Sequence, residues 1–296
     1  MKGLAIARDF FDSWGHPFLK SHFPDVAARI AAGRILGSDV LGGDDEASRD
    51  HDWGPQFDLF LSAGDFASQG EQLSRAMNSA APNPWKGYRL AGAGNKSVRV
   101  ESVPGWFGQH LQLKQVPATA GDWPPVQFES TLYFVRHGEV WVDATGELNR
   151  WRTALHEYPE ERLYTRLAEE CFRVWQHGEY NFVRRMARRR DPLAISICLG
   201  EFVTGVMRIV LLMDRDFTPY WKWLPFEFRK RKQAQPYIGL LEELVSNAGI
   251  ERQVEIVQMV CAMVHRQFLD GGWVTGKGAN PYLLPLLNDK IELESL

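Results

Sequence analysis

A chain of 296 residues with 45% hydrophobic and 24% charged residues can bury one large core or two ordinary ones, and this composition excludes intrinsic disorder. The formal charge of −3 argues against a general nucleic-acid binder, which would be basic. The three cysteines, Cys171, Cys198 and Cys261, are odd in number, far apart and without metal-ligand spacing. They read as reduced, buried residues of a cytoplasmic protein.

Arg8 and Asp9 follow Met1-Lys2-Gly3-Leu4-Ala5 too soon for the apolar core of a signal peptide. Residues 4–13 and 18–32 are predicted helical, the second stretch restarting at Pro24-Asp25, where a proline and an acid suit a first turn. Ala27 to Ala32 favours helix, Gly33 ends it, and Arg34-Ile35-Leu36 reads as a short strand running into Gly37-Ser38. Residues 57–61 alternate as a second strand, with Phe57, Leu59 and Leu61 on one side and Pro55 marking an edge or bulge. Helical spacing over 70–79 gives way to loops at 82–87 and 91–96, then to a third strand over 97–103. Residues 128–132 read as a helix end, and 135–142 as part of a hairpin turning at Thr145-Gly146.

From Leu148 strand signals stop and helical patterns take over, at 160–178, 179–190, 193–214, 236–248 and 251–269. That change predicts an α+β protein, with a mixed-sheet domain over 1–147 and a helical bundle over 148–296. Leu193 to Met213 is the most apolar long run, but it contains Glu201 and Arg208 and reads as a buried central helix rather than a membrane span.

Chemistry concentrates in residues 37–54. In an extended segment, side chains two apart share a face, roughly 7 Å apart. Asp50 and Asp52 would therefore aim at one point, while His51 turns away and reads as a packing or supporting residue. Hard oxygen ligands so placed suit Mg²⁺, which keeps waters and takes phosphate oxygens as its remaining ligands. Gly37, without a Cβ, lets a phosphate approach the backbone, and Ser38 offers a hydroxyl and an N–H. A Gly-Ser pair or a D-x-D pair alone is a weak signal. Their succession, strand, Gly-Ser, loop, D-x-D, strand, is a better one.

That order resembles the polymerase-β-like nucleotidyltransferase superfamily, which includes aminoglycoside and minimal nucleotidyltransferases. Gly37-Ser38-Asp39-Val40-Leu41-Gly42 with Ser48-Arg49-Asp50-His51-Asp52-Trp53-Gly54-Pro55 looks like a largely uncharacterised bacterial branch of it, as do residues 138–143 and 220–223. The resemblance implies a nucleotidyltransferase-like mixed sheet with flanking helices. It implies transfer of a nucleoside monophosphate, AMP first, from NTP to a hydroxyl-type acceptor on a small molecule, with release of pyrophosphate. Gly37 and Ser38 would contact the phosphates, and Asp50 and Asp52 would bind Mg²⁺ or Mn²⁺. The third acid of the superfamily lies on the strand after the helix that follows D-x-D. Glu101 occupies that place, with Asp143 the second choice. Asp44, Asp45 and Glu46 depart from the pattern, since an acidic loop repels a triphosphate unless a cation intervenes. A catalytically degenerate nucleotide sensor and a protein-adenylylating enzyme are the alternatives, and the latter would have a protein partner.

Two further features carry open readings. Lys222, beside Tyr220 and between Trp221 and Trp223, suits either a nucleotide phosphate with an aromatic wall or a packing cluster with a snorkelling lysine. The basic runs 184–190 and 229–232 read by default as solvated helix faces, and more sharply as a site for RNA or a phosphate-bearing substrate.

Overall fold

Ala31–Arg34, not Arg34-Ile35-Leu36, forms the first strand, β1, and all four of its residues are buried. Alanine and glycine have little strand preference of their own, but this strand lies between two others. Gly33 has a steric reason: a Cβ there would lie 2.2 Å from the carbonyl oxygen of Glu139, where the register with the neighbouring strand shifts. Gly33→Ala should therefore force the two strands apart, costing roughly 1–3 kcal/mol as an overpacking defect and lowering the melting temperature. An unchanged melt would disprove that close approach.

The computed structural model describes residues 2–46, 53–90, 97–246, 249–275 and 291–292. Within it the chain divides into two compact units, Met1–His156 and Glu157–Leu296.

In the first unit, helices α1 (Gly3–Phe10), α2 (His16–His22) and α3 (Pro24–Ala27) precede β1. Strand β2 (Phe57–Leu61), helix α4 (Ala63–Ala80) and strand β3 (Val98–Ser102) follow, then α5 (Val103–Leu111), α6 (Glu129–His137), β4 (Glu139–Asp143) and α7 (Glu147–Ala154). The sheet order is β3-β2-β1-β4. β1 runs antiparallel to β2 and β4, whereas β2 and β3 are parallel and need the α4 crossover between them. The fold is thus α+β, with a mixed sheet flanked by helices.

β2 is interior, and Pro55 lies two residues ahead of it, clear of the ladder, rather than at an edge or bulge. Phe57, Leu59 and Leu61 face one core with Phe10, Phe11, Leu73 and Met77. On the opposite face Trp106 of α5 meets Phe60 edge-on at 6.1 Å, and Phe107 stacks on Trp151 of α7 at 4.6 Å. The expected hairpin over 135–142 is instead the end of α6 followed by β4, which pairs with β1. Gly138 permits this sharp passage, because a Cβ there would lie 2.7 Å from the Cα of Ile35.

The second unit is helical among its described residues, apart from the short parallel pair β5 (Val274–Thr275) and β6 (Ile291–Glu292). Its α-helices are α8 (Glu160–Trp175), α9 (Ala187–Arg189), α10 (Pro192–Met213), α11 (Leu224–Arg229), α12 (Gln235–Val245) and α13 (Ile250–Asp270). A π-helical stretch, Gln176–Met186, joins α8 to α9. By length and composition α10 is apolar enough to cross a membrane, but 56% of its apolar window is buried in the protein. Its two charges meet α8: Arg208 donates to Glu170 at 3.3 Å, and Glu201 accepts from Arg173 at 2.5 Å. The inward burial of its apolar residues and the pairing of both charges mark it as a core helix.

Candidate active site

The carboxyl end of β1 carries the Gly-Ser turn. Gly37 has φ +135°, a conformation that side chains strain against, and a Cβ there would lie 2.4 Å from Nη2 of Arg34. The guanidinium of Arg34 is therefore packed directly against the turn. Its Nε and Nη2 donate to Asp39 at 3.1 and 3.2 Å, and both residues are at most 2% exposed. Backbone bonds from Val40 to Gly37, from Gly42 to Asp39 and from Gly43 to Ser38, at 3.1–3.2 Å, close the loop. Ser38 itself is half-buried.

The acidic loop after the turn is partly spent on structure. Asp44 is fully buried and accepts from the Gly3 N–H at 2.6 Å and from the indole N–H of Trp53 at 3.2 Å, with Lys2 3.2 Å away. Burial pushes its carboxyl up, but these donors outweigh that effect and hold it below the usual range. The free N–H groups at the start of α1 thus receive an acid from 41 residues away, and a buried, paired Asp44 does not repel a phosphate as a solvated acid would.

Asp58, which sequence reading left unassigned, is the carboxylate level with β1's carboxyl end. It pairs in register with Gly33 on β1 and Arg99 on β3, and it is 5% exposed. It accepts from Nε of Arg99 at 2.5 Å and from the Ile35 N–H at 3.4 Å, and Nη1 of Arg34 lies 4.0 Å away. Asp39, Arg34, Asp58 and Arg99 therefore alternate in charge from the Gly-Ser turn across to β3. The signal in the sequence is small: one acid at the odd position of an otherwise apolar, alternating strand.

Glu101 shares that face, two residues beyond Arg99 on β3. Burial pushes its carboxyl up, Asp58 adds to the shift, and Arg99 opposes it. His110, near the end of α5, packs on Trp106 with ring centroids 4.6 Å apart. Burial lowers its ring, with Arg99 helping and Asp58 opposing, so the imidazole is held towards its neutral form. Asp143 stands elsewhere. It ends the row Glu101–Phe60–Ala31–Asp143, on the opposite edge strand from Glu101 and about 14 Å away by strand spacing. Its Oδ2 accepts from the Asn149 N–H at 2.8 Å, which engages it at the start of α7.

Asp50, His51 and Asp52 lie outside the described residues, as does loop 91–96. Among the described residues no group of three His, Cys, Asp or Glu side chains could hold a metal ion. The donor chemistry of Glu101 nevertheless fits a hard divalent cation: a carboxyl that burial pushes towards protonation is returned to its ionised form by a nearby cation. Asp39 and Asp58 fit less well, being already paired with arginine.

In the second unit Tyr220 and Trp221 are 50% and 66% exposed, and Lys222 is exposed with its ammonium 5.0 Å from the Trp223 ring. The basic run 229–232 is largely paired: Arg229 with Glu242, Lys230 with Glu227 and Arg231 with Asp216, at 2.7–2.9 Å. In run 184–190, Arg190 pairs with Glu251 at 3.0 Å and Arg185 lies over the Tyr180 ring, while Arg184, Arg188 and Arg189 are exposed. All three cysteines are free and buried, and burial together with Glu170 pushes the Cys171 thiol well up.

Residues 123–224 match the family described as Domain of unknown function (DUF4037). No curated protein matches the chain. Among solved structures, a similar one is the crystal structure of nucleotidyltransferase-like protein from Exiguobacterium sibiricum 255-15, with 11% identity, a TM-score of 0.40, and coverage of 87% of this chain and 77% of that one.

Proposed function

We propose that the protein is a cytoplasmic nucleotidyltransferase that moves a nucleoside monophosphate, AMP by preference, from NTP to a hydroxyl of a small-molecule acceptor and releases pyrophosphate. The observation that carries this reading is the order β1, Gly-Ser turn, β2, α4 and parallel β3, with Glu101 on the last strand. Gly37 and Ser38 would receive the phosphates. Asp50, Asp52 and Glu101 would hold Mg²⁺, which when bound offsets phosphate charge. The residues' own work is positioning and charge stabilisation. The acceptor oxygen forms its bond to the α-phosphorus as the bond to the pyrophosphate oxygen breaks, and the hydroxyl proton passes to a carboxylate base.

Pyrophosphate release with ATP, Mg²⁺ and a panel of hydroxyl acceptors tests the reading. Asp50→Ala, with its fold checked by circular dichroism, should lose turnover on the order of 10²–10³-fold or more, the scale for removing one group that stabilises developing charge. Unchanged transfer by this variant would end the assignment.

A second reading is favoured by one observation. Arg99 stands beside Asp58, so an ion pair occupies the sheet level with Gly33, near the carboxyl end of β1. A site so neutralised suits a nucleotide sensor. Calorimetry showing ATP·Mg²⁺ binding, with no pyrophosphate released by any acceptor over long incubation, would favour it.

A further inference from the structure

We infer that the tip of the helical hairpin between α9 and α10 docks on an anionic phospholipid surface, its arginines meeting the headgroups and two aliphatic side chains entering beneath them. The residues involved take no part in the proposed transfer. Arg190, with φ +55°, ends α9, and Asp191 caps α10 by accepting from the Leu193 and Ala194 N–H groups at 3.0 and 3.4 Å. The chain so reversed packs α10 back along the π-helical stretch Gln176–Met186. Gly178 and Phe202, equally far along the chain on either side of Arg190, meet there: a Cβ on Gly178 would lie 2.6 Å from the Phe202 ring. At the turn of this hairpin Arg188 to Leu193 form an unbroken exposed run. Arg184 is exposed one turn before it, and Ile197 one turn after.

A single exposed leucine is ordinary. Leu193 and Ile197, however, are 76% and 66% exposed and lie on one side of α10, roughly 6 Å apart along its axis. Residues 184–197 hold five arginines, one acid, Asp191, and no aromatic ring. Arg190 is matched by Glu251 at 3.0 Å and Arg185 lies over the Tyr180 ring, whereas Arg184, Arg188 and Arg189 make no ion pair among the described residues. This combination selects the partner. A purely apolar partner would strand the guanidinium groups against its surface. A nucleic-acid backbone would leave Leu193 and Ile197 in water, and the tip offers no ring on which a base could stack. A phospholipid surface uses both components: guanidinium forks pair with headgroup phosphates, and the two aliphatic side chains reach the acyl boundary, about 5–10 Å deep. The formal charge of −3 for the whole chain gives the rest of the protein no attraction to an anionic surface, while the tip is drawn within a Debye length of about 8–10 Å. The contact is a reversible surface attachment, since most of α10 beyond its first turns is buried in the protein.

Flotation of the full chain with vesicles of phosphatidylcholine alone, and of phosphatidylcholine mixed with phosphatidylglycerol, tests the docking. Binding is expected only with phosphatidylglycerol and should fall as salt rises. Arg188→Gln with Arg189→Gln should weaken it roughly 25-fold, about fivefold for each cation near the surface. Leu193→Gln with Ile197→Gln should weaken it on the order of tenfold or more, although the charge of the tip is unchanged. Both double variants should melt as the parent does, because all four side chains are exposed. Membrane docking is overturned if the parent does not bind phosphatidylglycerol vesicles at low salt, if it binds phosphatidylcholine alone equally well, or if either double variant binds like the parent. Displacement from the vesicles by duplex RNA, with RNA binding unaffected by Leu193→Gln and Ile197→Gln, also overturns it and assigns the tip to nucleic acid. Nucleotide transfer plays no part in these readouts, so failure of the transferase reading would leave them unchanged.

Discussion

Replacing Glu101 by Gln should cut nucleotidyl transfer sharply and, at neutral pH, raise the melting temperature. Burial and the nearby Asp58 hold this carboxyl above its ordinary value of about 4.5 in the folded chain. The folded state therefore binds the proton more tightly than the unfolded state does. The resulting stability is fully present below the unfolded value and is lost as pH rises through the folded one. At pH 7 the ionised carboxylate is a net cost to folding, and the neutral, nearly isosteric amide removes it. At pH 4, where the native carboxyl is largely protonated, the two proteins should melt together. Transfer should fall on the order of 10²–10³-fold, because an amide can neither serve as base nor stabilise a cation as a carboxylate does. Melting curves at both pH values, set against pyrophosphate release, check the two halves separately. A melting difference independent of pH would remove the electrostatic account of Glu101, and a gain in stability with unchanged turnover would remove Glu101 from the active site.

Arg34→Ala should produce the largest loss of stability. It takes the cation from Asp39 and leaves Asp58 with Arg99 alone, in a region where Arg34, Asp39 and Asp58 are at most 5% exposed. Breaking a buried pair by removing one partner costs about 3–5 kcal/mol. At roughly 2–4 °C per kcal/mol for a chain of this order, the melting temperature should drop by about 6–20 °C. Arg34→Lys should recover only part of this, since an ammonium cannot reproduce the two-pronged contact with Asp39. Arg34→Met with Asp39→Leu should be milder than Arg34→Ala alone, because no orphaned charge remains at Asp39. If all three variants melt alike, the Arg34–Asp39 pair is not what holds the turn.

Other residues show how far the sequence could be read. Phe57, Leu59 and Leu61 announce β2 because a strand with one face on a core repeats every second residue. The alternation over 97–103 announces β3, which carries Glu101. Leu193 to Met213 could be read as a core helix because two charges, Glu201 and Arg208, interrupt its apolar run. By contrast, Ala27 to Ala32 favours helix locally, yet Ala31 and Ala32 lie in the most interior part of the sheet. Their strand exists because β2 and β4 flank it and because only Gly33 admits the carbonyl of Glu139.

By itself the amino-acid sequence determined the α+β class and the helical second half, because periodicity is carried by neighbouring residues. Only tertiary structure decided which charges remain available. Asp44 is taken up by Gly3 and Trp53, Asp39 by Arg34, and Asp58 by Arg99, while Arg229 and Arg231 find Glu242 and Asp216. Each of these partners lies five or more residues away in the chain, so a charge that reads as solvated or catalytic in one dimension is satisfied in three. Glu101 keeps its interest for the converse reason. Its raised carboxyl comes from lying half-buried beside a like charge, which no local pattern of residues encodes.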